Sequence, residues 1–324
     1  MIFIMEMTYT IVDVPGIKVG HAQNEAALTG CTVVLTEHGA VCGVDVRGSA
    51  PGTRETDLLC PTNLVDRVHA ICLSGGSAYG LDAASGVMKY LEERGYGLDV
   101  GFEVVPIVPA AVLFDLAIGD PNVRPDARMG YQAAAAATTR AVKLGNVGAG
   151  CGATVGKAGG FHRAMKSGLG SSARKYPNGL IVGAIVAVNA VGEVRDPSTG
   201  KILAGALDDE GNIRESTSWM LEQSFTLIPG TNTTIAVVAS NATLTKTQVN
   251  KVAQMAHDGL ARSIYPVHTM YDGDTVFALS TGGIEAPVDL VGALSAEVLA
   301  EAVVRAVMEA EGAGGLPAYR DLLK

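Results

Sequence analysis

The stretch that decides the fold reads Asn232-Thr233-Thr234-Ile235, with the apolar run Ala236-Val237-Val238-Ala239 behind it. The turn Ile228-Pro229-Gly230-Thr231 stands directly in front. A short apolar run bounded by turn residues reads as a buried strand, here over 234–239. Hydroxyl residues open it. A threonine hydroxyl is a poor nucleophile unless a base sits beside it, and one solution is a threonine whose own free α-amine is that base. Such an amine has an unperturbed pKa of about 7.7–8.0, close to neutral pH. An internal threonine acquires it only if the preceding peptide bond breaks. Taken alone, the segment is an ordinary entry from turn to strand.

Downstream, Thr245-x-x-Gln248 forms a capping box. It opens a helix with Val249, Val252, Ala253, Ala256 and Leu260 on one face. Then comes His268-Thr269-Met270-Tyr271-Asp272-Gly273-Asp274-Thr275-Val276-Phe277-Ala278. Asp272 and Asp274 flank a glycine at the start of a predicted strand, 274–279. Residues i and i+2 of a strand share a face, so two carboxylates there split their protonation behaviour and orient a base or nucleophile. The plainer reading is a solvated Asp-Gly turn. The ligands of a calcium loop do not follow. A last helix is predicted over 295–310, with Leu299, Ala302, Val303, Ala306 and Ala310 inward.

Upstream, residues 8–14, 31–36 and 40–46 read as strands. A short strand, 69–73, leads through Ser74-Gly75-Gly76-Ser77 into a helix that ends near Arg94. Ser77 or Ser74 is its expected N-cap and Gly95 its stop. A second helix is expected over 126–143, with five alanines at 133–137. The glycine-rich stretch 145–160 reads as a loop or a strand at close backbone approach. It fails as a phosphate loop, because Cys151 stands where the first glycine belongs and Ala158 where the hydroxyl belongs. As a dinucleotide fingerprint it lacks the flanking strand and helix. Lys157 is then either presented by a tight loop or solvated. Residues 180–190 form a strong buried strand, and 196–218 a polar surface linker. Strands with one apolar face plus amphipathic helices imply a mixed α/β sheet stack flanked by helices.

Composition removes other classes. The 40 glycines among 324 residues follow no triplet period, so the chain is not collagen-like. At 48% hydrophobic it is too apolar for disorder. A net charge of −9 leaves no basic footprint for nucleic acid. The most apolar segment, 104–114, carries two prolines and is shorter than the ~20 residues of a membrane span. The first residues lack the basic and apolar regions of a signal peptide. Five unpaired-looking cysteines (Cys31, Cys42, Cys60, Cys72, Cys151) and no C-x-x-C fit a reducing, cytoplasmic setting. Six scattered histidines argue against a zinc site. The absence of G-x-S-x-G argues against an α/β-hydrolase.

In combination, the pieces resemble one family: self-processing amide hydrolases that include L-aminopeptidase/D-esterases, β-aminopeptidases and nylon-oligomer hydrolases. The likeness rests on 232–235, on 268–278, on Ala70-Ile71-Cys72-Leu73-Ser74-Gly75-Gly76-Ser77-Ala78-Tyr79-Gly80-Leu81, on 150–157 and on Val186-Ala187-Val188-Asn189. It is strongest to the nylon-oligomer (6-aminohexanoate-oligomer) branch, through the threonine and the D-G-D-T-x-F-A segment. The resemblance implies a four-layer αββα sandwich of the N-terminal-nucleophile type. It implies one catalytic domain, cut between Asn232 and Thr233 into 1–232 and 233–324, with Thr233 as nucleophile. Lys157 and Asn189 match family active-site positions, Asn189 as an oxyanion donor. Asp272 and Asp274 match the acids that hold the threonine and its amine. Phe114 stands where the nylon branch carries a tyrosine, and a phenyl ring donates no hydrogen bond. The expected substrate is a short peptide or linear amide oligomer. No metal, cofactor, nucleic acid or membrane is called for, and a homo-oligomer of tetramer size or larger is expected.

Overall fold

The structure, a computed structural model, describes residues 9–222 and 230–323. Eight strands carry the frame: β1 (Lys18–Asn24), β2 (Thr29–Val46), β3 (Arg67–Ser74), β4 (Ala110–Val112), β5 (Leu169–Lys175), β6 (Ile181–Asn189), β7 (Thr233–Ala242) and β8 (Thr275–Ile284). Four helices flank them: α1 (Ala83–Glu92), α2 (Ala127–Ala135), α3 (Lys246–Ser263) and α4 (Val288–Met308). The strands are hydrogen-bonded in the order β5-β6-β7-β8-β2-β3-β4, with β1 on β2. All neighbours are antiparallel except β7 with β8 and β3 with β4.

The long strand β2 serves two sheets. Its N-terminal part pairs with β1 and β3, and its C-terminal part, from Val41 to Val46, pairs with β8. Between Leu35 and Ala40 four residues face one on β3, because Leu35 pairs with Ala70 and Ala40 with Val68. Gly39 takes the left-handed turn this bulge needs, at φ +81°.

Side-chain alternation then sorts the molecule into layers. Ile235, Val237 and Ala239 of β7, with Ile185, Ala187, Phe277 and Leu279, pack against Val34, Ile71, Leu73, Ala111 and Leu113. The opposite face of the same strands (Ala184, Val186, Ala236, Val238, Val276, Ala278) packs on α3 and α4. Cys31, Val33, Leu35, Ala70 and Cys72 pack on α1 and α2. Three apolar interfaces separate four layers, αββα. The strands around β7 are buried on both faces, which is why they read as continuous apolar runs.

Several boundaries differ from expectation. Residues 11–13 form a 3₁₀ turn instead of a strand, because Asp13 draws the Thr10 N–H into a 2.9 Å hydrogen bond. Neither serine caps the helix after β3: Gly76, at φ +81°, precedes a 3₁₀ turn, Ser77–Asp82, that runs into α1. Asp126 does cap α2, accepting from Met129 N at 2.8 Å. The helix stops at Ala135 because Thr138 exchanges both backbone hydrogen bonds, at 3.0 Å, with Val19 on the β1 edge. α4 begins at Val288, directly after the extended Pro287 at its N-cap, before the predicted 295. The capping box of α3 is present, with Thr245 N–H donating to Gln248 Oε1 at 2.9 Å. The expected linker 196–218 holds short strands and the start of a helix, Ser216–Leu221, whose Trp219 packs on Ala158 and Val191. The turn expected at 228–231 lies partly, and residues 1–8 wholly, outside the described residues.

Candidate active site

Strand pairing alone gathers the site. β6 ends at Asn189, which pairs with Thr233, the first residue of β7. β7 runs parallel to β8, and one bridge earlier Asn232 pairs with Asp272. The end of β6 and the starts of β7 and β8 therefore meet at one edge of the sheet. Thr233 is 3% exposed and Asn232 fully buried. The Thr233 hydroxyl donates to the carbonyl oxygen of Asn232 at 2.5 Å. That oxygen also accepts the backbone N–H of Gly273 at 2.9 Å. A fixed N–H thus polarises this carbonyl, and a hydroxyl lies beside it. Only glycine fits at 273: a Cβ there would lie 2.8 Å from Thr233 Oγ1 and 2.7 Å from the Ala50 oxygen.

Lys157 is buried, not solvated. Gly156, at φ +75°, turns the chain so closely that a Cβ would lie 2.1 Å from the carbonyl carbon of Gly205. The lysine Nζ donates to Asn189 Oδ1 at 2.8 Å, to the Asn189 carbonyl at 3.0 Å and to the Thr154 carbonyl at 3.1 Å. Asn189 Oδ1 also accepts from Thr154 N–H at 3.0 Å. These donors fix the amide orientation. Its Nδ2 donates to the carbonyls of Phe114 at 3.0 Å and Thr231 at 3.4 Å. Burial pulls the Lys157 amine down to about 7, against the opposing charges of Asp272 and Asp274. A lysine near 7 can exchange protons at neutral pH.

The two acids lie ahead of β8, which begins at Thr275, and both are 1% exposed. The solvated-turn reading is thereby excluded, and so is a shared strand face. Asp272 accepts from Thr269 N–H at 2.8 Å and Thr269 Oγ1 at 2.6 Å. Burial, reinforced by the Asp274 charge, raises its carboxyl to about 6. Asp274 Oδ1 accepts the Thr234 N–H at 2.7 Å. Its Oδ2 accepts from the His268 N–H at 3.0 Å and the His268 ring at 2.8 Å.

Thr233, Asn232, Lys157, Asn189, Asp272 and Asp274 thus assemble at one place. Phe114 joins through its carbonyl, so its missing hydroxyl does not affect the bond to Asn189. The Asn189 amide N–H groups face Phe114 and Thr231, and the acids grip Thr234, His268 and Thr269. The sequence reading missed Thr154, Thr269, His268 and the Gly273 N–H. Thr154 had a signal three residues before Lys157, and His268 six before Asp274. A backbone donor has none. Among the described residues no cluster of three or more His, Cys, Asp or Glu could hold a metal ion, and no helix is long and apolar enough to cross a membrane.

Known proteins resemble this chain in sequence and in fold. The profile of peptidase family S58 matches residues 9–319. An uncharacterised aminopeptidase of Mycobacterium bovis is 45% identical over 343 residues, 97% of each chain. A 6-aminohexanoate-oligomer endohydrolase of Kocuria sp. is 33% identical, covering 91% of this chain and 84% of that protein. A Burkholderia sp. β-aminopeptidase structure superposes with TM-score 0.68 at 21% identity, over 97% and 92% of the chains. The L-aminopeptidase D-Ala-esterase/amidase of Ochrobactrum anthropi, described as a variant of the Ntn-hydrolase fold, gives TM-score 0.68 at 21% identity, over 95% and 88%. The chain belongs to peptidase family S58 and is an amide-bond hydrolase.

Proposed function

We propose that the chain is a self-processing N-terminal-threonine hydrolase that cuts itself between Asn232 and Thr233. The observation that carries the reading is the buried Thr233 hydroxyl, 2.5 Å from the Asn232 carbonyl oxygen that Gly273 N–H polarises. In processing, Thr233 Oγ1 bonds to the Asn232 carbonyl carbon, and the C–N bond to Thr233 breaks. The hydroxyl proton passes to the leaving nitrogen. Water then hydrolyses the ester, leaving a carboxylate on Asn232 and a free amine and hydroxyl on Thr233. The departing carbonyl frees Gly273 N–H for the oxyanion of the next substrate. In turnover the new amine takes the hydroxyl proton as Thr233 attacks an external amide, and water releases the acyl group. Lys157 supplies or accepts a proton near the threonine, and Asp274 holds the backbone at Thr234.

Short peptides and linear ω-amino-acid oligomers are the substrate classes. The Kocuria relative, named for 6-aminohexanoate oligomers, supports the second, and the aminopeptidase relatives the first. Denaturing electrophoresis tests the core. The wild type yields two fragments, whereas Thr233→Ala stays full length and inactive. Cleavage and activity retained in Thr233→Ala would move the nucleophile elsewhere.

A further inference from the structure

We propose that His268 is a positioning residue of this reaction, clamping Asp274 so that the carboxylate fixes the backbone beside the nucleophile. The proposal rests on the self-processing reading above. The chemistry of the partners assigns the protons. A carboxylate accepts, so the His268 Nδ1 that lies 2.8 Å from Asp274 Oδ2 carries the hydrogen. The His268 N–H donates to the same oxygen at 3.0 Å. Two donors on Oδ2 leave Oδ1 turned toward the Thr234 N–H at 2.7 Å. Thr234 follows the nucleophile directly, so the orientation of Asp274 sets that of the Thr233–Thr234 peptide.

The ring is held from behind. His257 of α3 packs edge-to-face on it, ring centroids 4.7 Å apart. His257 Nε2 donates to the Asp45 carbonyl at 2.9 Å, leaving its Nδ1 bare. Burial pulls His257 down to about 4, so a neutral ring faces His268. Asp45 is in turn gripped by Arg47 at 2.8 Å, and the Arg47 N–H donates to the Asp274 carbonyl at 3.0 Å. The His268 backbone sits at φ +58°, a region that non-glycine residues seldom occupy. A residue held there by its surroundings marks a constrained, functional position.

Glycine and asparagine both tolerate that backbone, which gives a matched pair of variants. His268→Gly keeps the backbone N–H and removes the ring, both its donor and its packing on His257, and His268→Asn restores an N–H near the same place without the ring. Full-length chains made by cell-free translation are followed by electrophoresis, with urea midpoints as a check on folding. The expected result is self-cleavage slowed roughly tenfold or more in His268→Gly, the size of effect seen when a metal ligand loses the partner that orients it. His268→Asn recovers most of the rate while both variants keep similar urea midpoints. Equal slowing in both, or rates that track the urea midpoint, would make the histidine merely structural and overturn the proposal. Thr233→Ala runs alongside. If it is cut, the underlying reading falls; if it stays whole while His268→Gly is cut at the wild-type rate, only the His268 assignment falls.

Discussion

At the scale of single residues, Gly273 connects the sequence to the chemistry most tightly. Its missing side chain leaves room for Thr233 Oγ1, and its N–H polarises the Asn232 carbonyl. An alanine would press on the hydroxyl and on the Ala50 backbone, both under 3.0 Å. Gly273→Ala keeps the N–H but displaces it and the hydroxyl from each other, and is expected to slow self-cleavage by up to about 10²-fold, the effect of losing one well-placed oxyanion donor. A time course of fragment appearance measures it. Thr233, Lys157, Asn189 and the Asp pair stood out in the sequence only through the ordered combination of segments that resembles one family, since each segment alone reads as an ordinary turn, loop or strand end. The Gly273 N–H did not, since every residue but proline carries one. The burial of Asp272 and Asp274 did not either: an Asp-Gly-Asp string looks the same in a solvated turn.

At the scale of elements, β7 and β8 carry both the site and the core. Phe277, fully buried between the sheets, is five residues from Asp272. Phe277→Ala should cost about 3–5 kcal/mol of stability through transfer and cavity terms, read as a lower denaturant midpoint. Strands 180–190 and 234–239 were plain in the sequence, because burial on both faces leaves no polar interruption. The 3₁₀ turn at 11–13 and the early end of α2 were not. Both follow from partners distant in sequence or from one local side-chain hydrogen bond, Thr138 on Val19 and Asp13 on Thr10. The segment 196–218 looked like a linker because its polar turns mask Trp219, which helps to wall the Lys157 loop.

At the scale of the whole molecule, the buried charges set how stability follows pH. Lys166 is a second buried lysine, donating to the carbonyls of Gly150 at 3.1 Å, Ala153 at 2.9 Å and Ser167. It ties down the glycine-rich loop. Burial pulls both Lys157 and Lys166 from 10.5 to about 7. Between about 7 and 10.5 the unfolded chain binds more protons than the folded one, so stability rises with pH in that window. Asp272, raised from 3.8 to about 6, acts the other way. The folded chain binds more protons between these values, and stability falls as pH climbs through them. The urea midpoint should accordingly be higher at pH 9 than at pH 7, and Lys166→Met should flatten that rise. A midpoint that is constant or falling between pH 7 and 9 would contradict buried, proton-shedding lysines. A sheet stack flanked by helices was legible through the order of apolar strands and amphipathic helices, and its four αββα layers through the family resemblance. The dual role of β2 was hidden, because its bulge at 36–39 resembles a simple break between two strands.

The most direct test of the whole account is the intact mass of the purified protein, with N-terminal sequencing of its fragments. Self-processing gives two associated chains, the smaller beginning at Thr233. A chain that stays in one piece after long incubation, or a new N-terminus at any other residue, would contradict it.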